Sequence, residues 1–147
     1  MLIRFALKHE RAALEALQRR ASLANEGDRE ALLAHPDAID LPLAQIEAGQ
    51  VLVAERGSAL AGFAAVLPRE DGDAELDGLF VEPALWRSGV ARALVERCCR
   101  LGREHGAKTL HVLGNPHALG FYTACGFEAV GSRPMRFGTA VVMRRRL

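Results

Sequence analysis

The chain has no apolar run long enough to span a bilayer, which excludes a membrane-spanning helix. Its opening residues, Met1-Leu2-Ile3-Arg4-Phe5, lack the charged start, apolar core and cleavage site of a secretory signal. A cytoplasmic location is therefore expected. Cysteine is scarce. Cys98, Cys99 and Cys125 are three in number and two are adjacent, which argues against a disulfide framework. No Cys-x-x-Cys pair is present to hold zinc, and no metal is expected. The three thiols read as small buried hydrophobes in a reducing compartment. Charge of one sign is also missing. A formal net charge of +1 leaves no strong field to draw the protein to nucleic acid or membrane. Arg144-Arg145-Arg146 then reads as a solvated strand tail. There is no internal repeat, low-complexity tract or long linker.

What is present suits one folded unit. Half of the 147 residues are hydrophobic and a quarter are charged, too apolar a mixture for disorder. That length fits a single domain over residues 1–147. Leu2 to Ala6 reads as a strand. His9 to Ala21 places Leu14, Leu17 and Ala21 at helical spacing. Asp28 to Ala34, with Asn25 or Gly27 near its start, and Leu43 to Ala48 read as short helices. Val51 to Ala54, Leu60 to Leu67 and Ala74 to Val81 read as three strands joined by turns at Gly57-Ser58 and Glu70-Asp71-Gly72-Asp73. Ser88 to His105 is the strongest helix, with Val90, Ala91, Leu94, Val95, Cys98 and Leu101 in one apolar stripe. Lys108 to Leu113, Phe127 to Val130 and Thr139 to Arg145 complete the strands, with a short helix at Ala118 to Ala124. The order is mixed α/β, a meander followed by a β-α-β unit.

Two segments carry chemistry. In the first, a strand ends at Glu82-Pro83 and a long helix opens at Arg87-Ser-Gly-Val-Ala91. The first amides of a helix have no partner inside it, and the helix dipole adds partial positive charge there. Ser88, Gly89 and Ala91 keep that surface open to an anion, and Arg87 and Arg92 can add charge-assisted contacts. The alternative is an ordinary turn in which Gly89 only permits close packing. No Gly-Lys-Ser/Thr of a Walker loop follows, and the glycine triplet of a dinucleotide site is absent.

In the second segment, Asn115 suits an N-cap and Pro116 the first helical position. Gly126 suits the left-handed position past the helix, and Phe127 can fold back onto Phe121. Ala118 and Tyr122, four apart, share a face. Tyr122 is the sole tyrosine, and alone it could equally be a core or rim aromatic.

Together these segments resemble the GNAT superfamily of N-acetyltransferases. The family's Gln/Arg-x-x-Gly-x-Gly/Ala motif is similar to Trp86-Arg-Ser-Gly-Val-Ala91, with Leu79-Phe-Val-Glu-Pro83 before it. Its later motif, Asn-x-x-Ala-x-x-Phe-Tyr-x-x-x-Gly-Phe, matches Asn115 to Phe127 at each fixed position. Trp86 departs from the usual Gln or Arg. The resemblance implies the acyl-CoA N-acyltransferase fold: a mixed, mostly antiparallel sheet of six to seven strands, a V-shaped splay between the two central strands, and helices on both faces. It implies acetyl-CoA as co-substrate, with Leu79, Phe80, Val81, Arg87, Ser88, Gly89, Val90, Ala91, Arg92, Asn115, Ala118, Phe121 and Tyr122 around it. Within it the pantetheine arm pairs with the backbone of Leu79 and Val81, and the diphosphate sits on Arg87 to Ala91. The implied activity is direct attack of an amine on the thioester. Tyr122 then serves the leaving thiolate, and Glu75 is the first candidate base, followed by Asp77, His111 and His117. Glu75 and Asp77 equally fit a solvated strand face. The resemblance further implies a homodimer. It places a small-molecule or protein amine over His9 to Ala48 and the turn Arg133 to Thr139. A non-catalytic acyl-CoA sensor of the same fold is the alternative.

Overall fold

A computed structural model describes residues 1–135 and 138–147. The strands are β1 (Leu2–Phe5), β2 (Val51–Arg56), β3 (Ala59–Pro68), β4 (Ala74–Val81), β5 (Thr109–Gly114), β6 (Glu128–Met135) and β7 (Gly138–Arg146). The helices are α1 (Arg11–Ala24), α2 (Glu26–Ala34), α3 (Leu43–Glu47), α4 (Val90–Glu104) and α5 (Leu119–Ala124). Among the described residues the strands form one sheet in the order β1-β2-β3-β4-β5-β7-β6. Only β4 and β5 run parallel, because α4 crosses over between them. The neighbours on either side are antiparallel.

The apolar stripe of α4 explains its place. Val90, Leu94, Val95 and Cys98 are fully buried against Leu52, Leu76, Leu110 and Met143 on one face of the sheet. On the other face Leu14 and Leu17 of α1 pack with Val51, Val53 and Phe63. Helices therefore cover both faces, with α1 lying over β3 and β4. The three thiols are buried and free, and burial pushes Cys98 up to about 12. They sit in the core as small hydrophobes. No helix among the described residues is long and apolar enough to cross a membrane.

Two boundaries differ from the sequence expectation for physical reasons. Helix α4 begins at Val90 and not at Ser88, because Gly89 takes a left-handed φ of 90°. Strand β6 runs on to Met135, well past Val130. It is an edge strand with every residue exposed, so no alternation of buried and exposed residues marks its length. Its extent comes from its register with β7, from Glu128 opposite Arg144 to Met135 opposite Gly138.

Candidate active site

The site begins where β4 and β5 part. Their parallel register joins Ala74 to Leu110, Glu75 to His111 and Leu76 to Val112, and goes no further. At that point β4 carries one extra residue. Ala65 of β3 faces Gly78 and Val66 faces Leu76, leaving Asp77 as a bulge. The Glu82 amide donates to the Ala61 carbonyl at 2.9 Å, toward β3. By the two-residue repeat of a strand, Val81 and Leu79 turn their backbone groups the other way, into the gap. A V-shaped cleft of about 670 Å³ opens there. That is the size of a small-molecule site.

The start of α4 forms one lip. Arg87, Ser88 and Gly89 are exposed, and a Cβ built on Gly89 would touch nothing within 4 Å. Close packing is therefore not what requires this glycine; its left-handed backbone is. The Ala93 amide is bonded to the Gly89 carbonyl at 3.0 Å. The helical amides before Ala93 have no acceptor within the helix. Trp86 lines the cleft beside them. Its indole Nε1 donates to the Val81 carbonyl at 2.8 Å. Of the residues expected on this side, Leu79, Phe80, Val81, Arg87, Gly89, Ala91 and Arg92 line the cleft. Two do not. Val90 is buried in the core, and the Ser88 hydroxyl donates back to the Leu85 carbonyl.

Helix α5 and the residue just before it form the facing wall, through Phe121 and Tyr122 of the helix and through Ala118. Tyr122 is 7% exposed, and its ring meets Phe121 and Phe127 edge-on at 5.1 and 5.4 Å. Phe127 thus folds back onto Tyr122, the neighbour of the residue expected. Gly126 takes the left-handed φ of 90° that lets the chain make this return. Burial raises the Tyr122 phenol well above its ordinary value, with the Cys125 and Cys98 thiols adding to the shift. Among the described residues its hydroxyl has no hydrogen-bond partner, and the side chain faces the cleft.

A third wall comes from the joint between α1 and α2, where Ala21, Ser22, Asn25 and Asp28 reach the cleft. The Asn25 side chain caps α2 by accepting from the Gly27 amide at 2.9 Å. Asn115 ties this wall to β5. Its Oδ1 accepts from the His117 amide at 2.9 Å, and its Nδ2 donates to Asp28 at 3.1 Å. A Cβ on Gly27 would come within 2.6 Å of His117. Asn115 therefore stands behind the cleft and braces it. Sequence reasoning located the cap but not this bridge, which spans 87 positions and leaves no local pattern.

The candidate bases separate. Glu75 lies in the paired part of β4, beside His111, with its carboxylate 3.5 Å from Arg69. His111 is bonded through Nε2 to Asp73 at 3.0 Å. Asp77 reaches solvent at the bulge, yet enough protein surrounds its carboxyl to raise its pKa by desolvation. His117 lines the cleft mouth. Within the expected acceptor turn Arg133 to Thr139, residues 136 and 137 lie outside the described residues.

A splayed β4–β5 pair with an open helix start on one lip and a buried phenol on the other is the arrangement that the sequence resemblance implies. The comparisons agree. Residues 12–127 match the acetyltransferase (GNAT) family, and the chain belongs to it. An uncharacterized N-acetyltransferase of Mycobacterium tuberculosis is 30% identical over 92 residues, 60% of this chain. The chain's match covers 58% of that relative's length. The PaiA N-acetyltransferase of Thermoplasma acidophilum, solved with coenzyme A, superposes with a TM-score of 0.81 at 19% identity. That match covers 99% of this chain and 98% of PaiA. A Salmonella typhimurium acetyltransferase solved with acetyl-CoA gives 0.73 at 24% identity, covering 100% of this chain and 94% of the other. Both show the same fold.

The brace leads to one expectation. Asn115→Ala removes a cap and a cross-wall hydrogen bond, and should lower unfolding free energy by about 1–2 kcal/mol in a urea titration. An unchanged midpoint would remove Asn115 from the brace.

Proposed function

We propose that the chain is an acetyl-CoA-dependent N-acetyltransferase in which an acceptor amine attacks the thioester directly. The observation that most supports this is a single cleft that brings together the open start of α4, the splayed edge of β4 and the Tyr122 side chain. The free amides at Gly89 and beyond, with Arg87 and Arg92, suit a diphosphate. The backbone of Leu79 and Val81 suits the amides of the pantetheine arm, which would act as a short added strand. The acceptor is a small-molecule or protein amine, and the setting is a cytoplasmic homodimer.

An alkyl ammonium has a pKa of about 10.4 and must lose a proton before its nitrogen can attack. Asp77 suits the base better than Glu75. Asp77 sits at the bulge where β4 parts from β5, and desolvation raises its pKa toward the range of a useful base, whereas Glu75 lies in the paired part of β4 with Arg69 at its carboxylate. Attack by the neutral amine forms the C–N bond and breaks the C–S bond, and the amine's proton passes to Asp77, through water if the span requires it. Tyr122 donates a hydrogen bond to the departing sulfur. A thiol near pKa 8.5 and a phenol near 10 make full proton transfer uphill by roughly 2 kcal/mol. Burial of Tyr122 widens that difference, so the phenol stays protonated and acts as a donor.

Two measurements test this, each reading release of the CoA thiol over an amine panel. Tyr122→Phe should lower kcat by about 10²-fold while acetyl-CoA still binds. Unchanged turnover would remove Tyr122 from the chemistry. For the base, kcat/KM should fall as pH drops through the raised pKa of Asp77, because only its deprotonated form accepts. Asp77→Asn should abolish that limb and cost at least about 10²-fold. A deeper loss in Glu75→Gln than in Asp77→Asn would move the role to Glu75.

A further inference from the structure

Trp86 is the only tryptophan in the chain, at the place where the resembling motif carries Gln or Arg. Its indole N–H is bonded to the Val81 carbonyl at 2.8 Å, on the edge of β4 that faces the cleft. One backbone acceptor of that open edge is therefore already satisfied by the protein. Trp86 remains 42% exposed and lines the cleft, so burial alone does not hold it there.

The next residue shows what the contact does. Arg87 has φ of 62°, the one non-glycine residue with positive φ among those described. A left-handed non-glycine backbone is strained and persists only where neighbours impose it. Two side-chain hydrogen bonds flank Arg87. Trp86 ties the chain before it to β4, and the Ser88 hydroxyl ties the chain after it to the Leu85 carbonyl. The strained residue leads straight into Gly89 and the open amides of α4.

We propose that Trp86 is a positioning residue for the acyl-CoA. Its indole pins loop 86–89 to β4, imposes the left-handed turn at Arg87, and so presents the helix amides ready-formed. The indole stays on the Val81 carbonyl when the thioester is bound. The pantetheine arm then pairs through Leu79 and the Val81 amide, without that carbonyl. This inference rests on the proposed acetyltransferase function.

The test is calorimetric titration of acetyl-CoA into the wild type, Trp86→Phe and Trp86→Gln, with steady-state kinetics alongside. Phe keeps a ring but loses the donor, and should weaken Kd and raise KM for acetyl-CoA about five-fold, the scale of one net hydrogen bond. The effect should fall on KM rather than kcat. Gln restores an N–H and should recover part of the affinity. Phe binding as tightly as the wild type, or Gln binding as weakly as Phe, would overturn the proposal. The absence of binding by the wild type would instead overturn the acetyltransferase function on which the proposal rests. The lone indole gives a second readout that needs no variant. On binding acetyl-CoA its emission maximum should hold and its quenching by acrylamide should fall, because the ring stays seated and becomes covered. A red shift with stronger quenching would show the indole released and would overturn the proposal.

Discussion

The structure turns on the point where β4 stops pairing with β5. Three residues of parallel register hold the sheet together at Leu76 and Val112, and beyond them the edge of β4 from Leu79 to Val81 borders a cleft. Unpaired amides and carbonyls are costly when dry, so such a gap must be wetted or filled. The rest of the fold keeps it open. The Asp77 bulge turns β4 away, α4 fills one face with Val90 and Leu94, and α1 fills the other with Leu14 and Leu17.

Each wall is then anchored to something rigid. The α4 lip is fixed by the buried stripe behind it and by Trp86 on β4. Tyr122 is fixed by Phe121, Phe127 and a helix closed by Gly126. The α1–α2 joint is fixed by Asp28 on Asn115 and by Arg20, which grips Glu82 through two 2.8 Å hydrogen bonds. The exposed ion pairs contribute little stability each, and their use is in orientation. The proposed function therefore uses a preorganised site, with the open start of α4 and the Tyr122 hydroxyl in place before any substrate arrives.

Much of this was legible in the sequence, for a physical reason: caps, glycines and apolar stripes act over a few residues. Asn115, Pro116 and Gly126 announced the Tyr122 helix, and Gly89 announced the open start of α4. Contacts made across the fold were not legible. The Asp28–Asn115 bridge joins residues with no shared period. The indole of Trp86 has one donor and many carbonyls within reach, and only the folded turn selects Val81. The unequal settings of Glu75 and Asp77 depend on a bulge and on Arg69, neither of which alternation along β4 reveals.

The central claim is that coenzyme A lies in the β4–β5 gap with its diphosphate on the start of α4. Amide resonances of ¹⁵N-labelled protein during titration with coenzyme A test it most directly. The predicted result is that Leu79, Val81 and the amides from Gly89 to Arg92 shift together, while β1 at the far edge of the sheet stays still. Saturating coenzyme A that moves none of these amides, or moves only residues elsewhere, would contradict it.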